Sequence, residues 1–81
     1  VTTKVELYSI LRDLAGAAEL ELPLPEGATV EKLLAALFER HPALAEWNTR
    51  LLLAADLDYV ERTHVIQPGE IISVMPPVQG G

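Results

Sequence analysis

Val30, Leu33, Leu34, Leu37 and Phe38 recur at i, i+3, i+4, i+7 and i+8, the spacing that lays one unbroken apolar stripe along an α-helix. A helix with one such stripe must bury it, and what surrounds it in the chain is written at a different period. Thr29 is placed to cap its first turn, Arg40 and His41 suit the negative end of its dipole, and Pro42 cannot continue it. The stripe therefore predicts one main helix packed across a sheet.

The sheet is read from alternation. From Thr3 to Ile10, Val5 and Leu7 fall on one face and Lys4, Glu6 and Tyr8 on the other, as in a half-buried strand. Leu11 to Gly16 reads as one or two helical turns ended by glycine. Ala18 to Leu24 alternates again, and Pro23 and Pro25 mark it as an edge strand. Pro42 to Asn48 is expected to be a connection with at most a short helical turn, in which Trp47 covers one end of the core. Leu51 to Ala55 reads as a buried strand, and Asp56 to Val60 as a tight turn into a brief further one. Gln67-Pro68-Gly69-Glu70 carries the proline and glycine of a type II turn. It feeds a last strand, Ile71 to Met75, with Ile72 and Val74 facing the helix and Ile71, Ser73 and Met75 on the open face. The order is an α+β domain with a mixed sheet of four to five strands and one main helix, and it fits the β-grasp arrangement with the first and last strands central and parallel.

The chain ends Met-Pro-Pro-Val-Gln-Gly-Gly from Met75. Two prolines stop the last strand because they lack the N–H that a ladder needs, and they favour an extended backbone. The reading is a domain over residues 1–75 and a tail over 76–81 that reaches roughly 20 Å at ~3.3 Å per residue. Two glycines without Cβ let a terminal carboxylate pass a narrow channel and approach a phosphate closely. That suits activation of the Gly81 carboxylate, and a frayed end stays open beside it.

Composition removes other chemistries. With 81 residues, 49% of them hydrophobic and 22% charged, the chain is one globular domain. It has no cysteine, which excludes zinc–thiolate and iron–sulfur centres and a side-chain thiol nucleophile. His41 and His64 have no second ligand at metal spacing, so no metal site is expected. A net charge of −6 disfavours nucleic acid; it suits a basic protein surface, and solubility alone stays open beside that reading. No segment reads as membrane-spanning or as a signal peptide, and a soluble, cytoplasmic protein is expected. No nucleophile–base pair stands out, so a self-contained enzyme is disfavoured.

Several of these residues together carry a resemblance. Lys4-Val5 leading to Leu11-Arg12-Asp13-Leu14-Ala15-Gly16, the helix start Ala28-Thr29-Val30 with Leu33, Pro68-Gly69-Glu70 and the ending Pro76-Pro77-Val78-Gln79-Gly80-Gly81 resemble the MoaD family of ubiquitin-like sulfur carriers, the small subunits of molybdopterin synthase. The segment Ala54 to Val60 departs from the family's commoner Val-Asn-Gly-like turn. The resemblance implies a carrier that is not itself an enzyme and binds no cofactor. A ubiquitin-E1-like enzyme would adenylate Gly81 with ATP, and a sulfur donor would convert it to a thiocarboxylate. The tail would then deliver sulfur to the pterin precursor, precursor Z, inside the large catalytic subunit of a heterotetrameric synthase. By the same resemblance Tyr8, Arg12 and Met75 match partner-contacting positions, and Pro76, Pro77, Val78, Gln79 and Gly80 match the inserted tail. A sulfur carrier of a thiamine-type pathway, a ubiquitin-like modifier that joins Gly81 to lysines, and a plain interaction module stay open.

Overall fold

The computed structural model describes residues 2–77. In chain order they form β1 (Thr2–Leu7), α1 (Ile10–Ala15), β2 (Glu19–Pro23), α2 (Val30–Arg40), a 3-10 helix (Pro42–Arg50), β3 (Leu52–Ala55), β4 (Asp58–Tyr59) and β5 (Ile71–Met75). The strands make one sheet in the order β2-β1-β5-β3-β4. β1 and β5 run parallel at its centre and the other pairings are antiparallel. This is the mixed five-stranded β-grasp sheet of an α+β domain, with β2 at an edge as its prolines predicted.

Register explains the core. Val5 lies opposite Ile72 and Leu7 opposite Val74, while Leu53 and Ala55 of β3 meet Val74 and Ile72 from the other side. All of these point to one face, where they meet Val30, Leu33, Leu34 and Leu37 of α2. Every member of that set is buried, and Phe38 packs half-buried against it. A leucine, isoleucine or valine removed from water in this way contributes about 1.5–3 kcal/mol before entropy is counted.

The start of α2 is tied down from outside the helix. Thr29 caps it, its side chain accepting the Lys32 amide at 3.3 Å. The Val30 and Glu31 amides donate to the carbonyls of His64 and Arg62 at 3.0 and 2.9 Å, so the first three helical donors all find acceptors. The Arg62 side chain adds a clamp, donating to Glu31 at 3.2 Å and to the carbonyl of Asn48.

Two expectations are corrected. The stretch after α2 is a 3-10 helix of nine residues, Pro42–Arg50, rather than a connection with at most a turn. It is held by Leu44, which is buried in the core. Ser73, placed on the open face, is buried there, between Glu6 of β1 and Ala54 of β3. A central strand between two neighbours leaves a small side chain little exposure even on the uncovered face.

Candidate functional site

The site assembles where β5 ends, and the parallel pairing of β1 and β5 is what makes it. Parallel strands finish at the same edge of the sheet, so Tyr8, just past β1, lies beside Met75 and Pro76 at the end of β5. Tyr8, Ser9, Ile10, Trp47, Met75, Pro76 and Pro77 line one groove of about 590 Å³. Apart from the Ser9 hydroxyl, the Tyr8 phenol and the Trp47 indole N–H, every side chain named there is apolar.

Each wall has a local cause. The Tyr8 hydroxyl donates to Glu6 Oε1 at 2.9 Å, both side chains standing on the face away from α2. Ser9 has φ 53 and ψ −130, a conformation that glycine takes freely and an L side chain takes at a cost of about 1–3 kcal/mol. It stands between the last strand residue pair and α1, whose amides at Arg12 and Asp13 bond back to the Ser9 carbonyl at 3.1 and 3.3 Å. The sharp turn there leaves Tyr8 and Ile10, which a continuing strand would also put on one face, exposed side by side in the groove at 43% and 41%. Trp47 arrives from the 3-10 helix, partly buried against the core, with the Arg50 guanidinium 4.6 Å from its ring centroid.

Of the residues singled out in the sequence, Tyr8, Met75, Pro76 and Pro77 are thus brought together. Arg12 is not among the groove's lining; it is exposed on α1 and lies 4.0 Å from Asp13. Val78, Gln79, Gly80 and Gly81 lie outside the described residues. Sequence reasoning missed Ser9 and Ile10, and it took Trp47 only for a core cover. Exposed apolar residues flanking a short polar one at a strand end, as in Tyr8-Ser9-Ile10, were the available signal.

Among the described residues no group of three or more His, Asp or Glu side chains is placed to hold a metal ion. No helix among the described residues is long and apolar enough to cross a membrane. A partly buried polar contact lies away from the groove, where His64 Nε2 and Glu70 Oε1 are 2.8 Å apart. Burial pushes the Glu70 carboxyl up, but the Gln67 amide and the His64 ring, both on the same oxygen, outweigh it and hold the carboxyl below the usual carboxylate range.

The sequence pattern of the ThiS family matches residues 5–81. The chain belongs to that family. Among curated members it is 32% identical over 81 residues to the molybdopterin synthase sulfur carrier subunit of Arabidopsis thaliana, covering all of this chain and 84% of that one. Among solved structures, a Pyrococcus furiosus protein described as molybdopterin converting factor, subunit 1, superposes with a TM-score of 0.86 at 31% identity, over 96% of this chain and 99% of that one. Small archaeal modifier protein 1 of Haloferax volcanii superposes with a TM-score of 0.89 at 22% identity, over the whole of both chains. This ThiS-family fold therefore carries its groove on a scaffold shared with both.

Proposed function

We propose that the chain is the sulfur-carrier subunit of a molybdopterin synthase, a non-catalytic protein whose reactive atom sits on Gly81. What carries this reading is the 32% identity, over the whole of this chain, with a protein named for that role. The groove agrees with it physically. Met75, Pro76 and Pro77 lie half-buried at the root of the C-terminal segment, beside an exposed tyrosine and isoleucine that a docked protein would cover.

In this reading an E1-like enzyme joins the Gly81 carboxylate to the α-phosphorus of ATP, and pyrophosphate leaves. Hydrosulfide, or a donor equivalent to it, attacks the carbonyl carbon of the acyl-adenylate. AMP departs, a proton is released and a thiocarboxylate remains. A thiocarboxylate is ionised and nucleophilic at neutral pH, so it needs no neighbouring base. The large synthase subunit receives residues 76–81 and supplies the catalytic groups, and the sulfur passes to the pterin precursor. In a chain without cysteine the terminus is where a transferable sulfur is carried.

The test is intact-mass spectrometry after incubation with ATP, an E1-like activating enzyme and sulfide, comparing the full chain with one lacking Gly81. The expected result is a gain of about 16 Da, one oxygen exchanged for sulfur, in the full chain only. No gain with an activating enzyme that thiolates other carriers would sink the reading, and lysine-linked adducts in its place would move the chain to the protein modifiers.

A further inference from the structure

The 3-10 helix supplies one wall of the groove. Trp47 is the only tryptophan in the chain, and it lines the same groove as Tyr8, Met75 and the two prolines. A protein that takes in the segment beginning at Pro76 has to lie over that groove, so it meets the indole as well. Tryptophan, tyrosine and arginine are the side chains most enriched where binding energy concentrates: the indole offers a large rigid face, and the guanidinium a planar fork of donors.

Arg50 does not line the groove but packs against the Trp47 wall of it. Its guanidinium stacks 4.6 Å from the Trp47 ring centroid and donates to the Glu46 carbonyl at 3.2 Å. Lys4 and Arg62 are engaged with Glu19 and Glu31 at 3.0 and 3.2 Å. Among the described residues, Arg50 has no carboxylate within ion-pairing distance. On a chain of net charge −6 it is an exposed cation stacked on the indole that forms one wall of the groove, and a planar guanidinium of this kind suits a carboxylate.

We propose that Trp47 and Arg50 are specificity-determining residues for the large synthase subunit, receiving an apolar side chain of that partner flanked by a carboxylate. The proposal rests on the carrier reading and names the part of the surface that selects the partner. Tyr8 and Met75 supply apolar area at the tail root; the indole and guanidinium add direction and charge. A partner that presents a basic residue at this point is disfavoured, because Arg50 would face a like charge.

The experiment labels the chain with 5-fluorotryptophan, which gives a single fluorine signal, and titrates it with the unlabelled large synthase subunit of the same genome. Affinity is measured in parallel for the native chain, Trp47→Ala, Trp47→Phe and Arg50→Glu, each first checked for native thermal unfolding. The expected result is a shift of the fluorine signal on binding. Affinity should fall roughly tenfold or more for Trp47→Ala and about threefold to tenfold for the exposed Arg50→Glu, whose loss diminishes as salt is raised. Trp47→Phe keeps the ring face and should lie between native and alanine. A complex that forms with the fluorine signal unmoved and all three variants binding like the native chain overturns the proposal and leaves the carrier reading standing. A native chain that forms no complex with the large subunit overturns both.

Discussion

Asp56 sits at φ 53, in the left-handed region that most side chains avoid. Its amide donates to the Ile71 carbonyl at 2.8 Å and its carboxylate accepts the Ile71 amide at 3.0 Å, so one residue ties the turn after β3 to the start of β5. Asn tolerates that backbone and keeps the acceptor; Ala does neither. Asp56→Asn should therefore leave stability within about 0.5 kcal/mol, whereas Asp56→Ala should cost about 2 kcal/mol, half from the lost bond and half from the backbone. Thermal unfolding of the pair checks this, and equal midpoints would show that the reciprocal bonding with Ile71 contributes little. Glu70 gives a pH prediction. Its folded carboxyl titrates below the usual value, so it adds stability that is present above a pH of about 4.5 and lost as the pH falls through the folded value. Glu70→Gln keeps an acceptor for the Gln67 amide but removes the charge facing His64. It should be less stable by about 1 kcal/mol at neutral pH, with the gap closing in acid. Denaturant midpoints from pH 7 to pH 3 test the sign, which a gap widening in acid would reverse. At this scale the sequence was partly legible. The turn residues and the Thr29 cap are local signals, and Gly69 takes the positive φ that its turn predicted. The strain at Ser9 is imposed by the elements on either side of it, and nothing in a serine announces it.

Among elements, α2 shows why a strong period reads well: its stripe is set by residues three and four apart, and it became the core face of the helix. The 3-10 helix shows the opposite. Ala-Leu-Ala-Glu-Trp-Asn-Thr has no clear period, and Leu44 is its sole fully buried anchor. The position of Trp47 beside Met75 depends on where β5 ends, some thirty residues later. The same distance hides the clamp at the start of α2, where Arg62 joins Glu31 of the helix to the carbonyl of Asn48 in the 3-10 segment. Arg62→Ala removes both contacts and leaves the Asn48 carbonyl to solvent or unpaired. It should lower stability by about 1–1.5 kcal/mol and the unfolding midpoint by roughly 5–10 °C for a domain of this size. Arg12→Ala, on exposed α1, should shift the midpoint by far less. Unfolding curves that coincide for the two variants would mean that the clamp is solvated and contributes nothing.

For the whole molecule, full burial among the described residues stops at the end of β5. The core cluster begins at Val5 and ends at Val74, and β5 closes at Met75 against Leu52 of β3. The order of elements made this architecture legible, because a strand–strand–helix–strands sequence with a final apolar run places the first and last strands together. The composition of the groove was less legible, since it is built from three segments that meet only at the sheet's edge. A chain shortened to residues 1–77 keeps every described member of the core cluster and of the groove. Its unfolding midpoint should stay within about 3 °C of the full chain, the effect of a surface change of about 0.5 kcal/mol or less. The same shortened chain should gain no sulfur and should still compete, more weakly, for the large synthase subunit through Tyr8, Ile10, Trp47 and Met75. Competition at full strength would assign the affinity to the groove alone, and none at all would assign it to residues 78–81. A midpoint lowered by 10 °C or more would place those four residues among the contacts that hold the fold, and the holder would no longer be separable from what it presents.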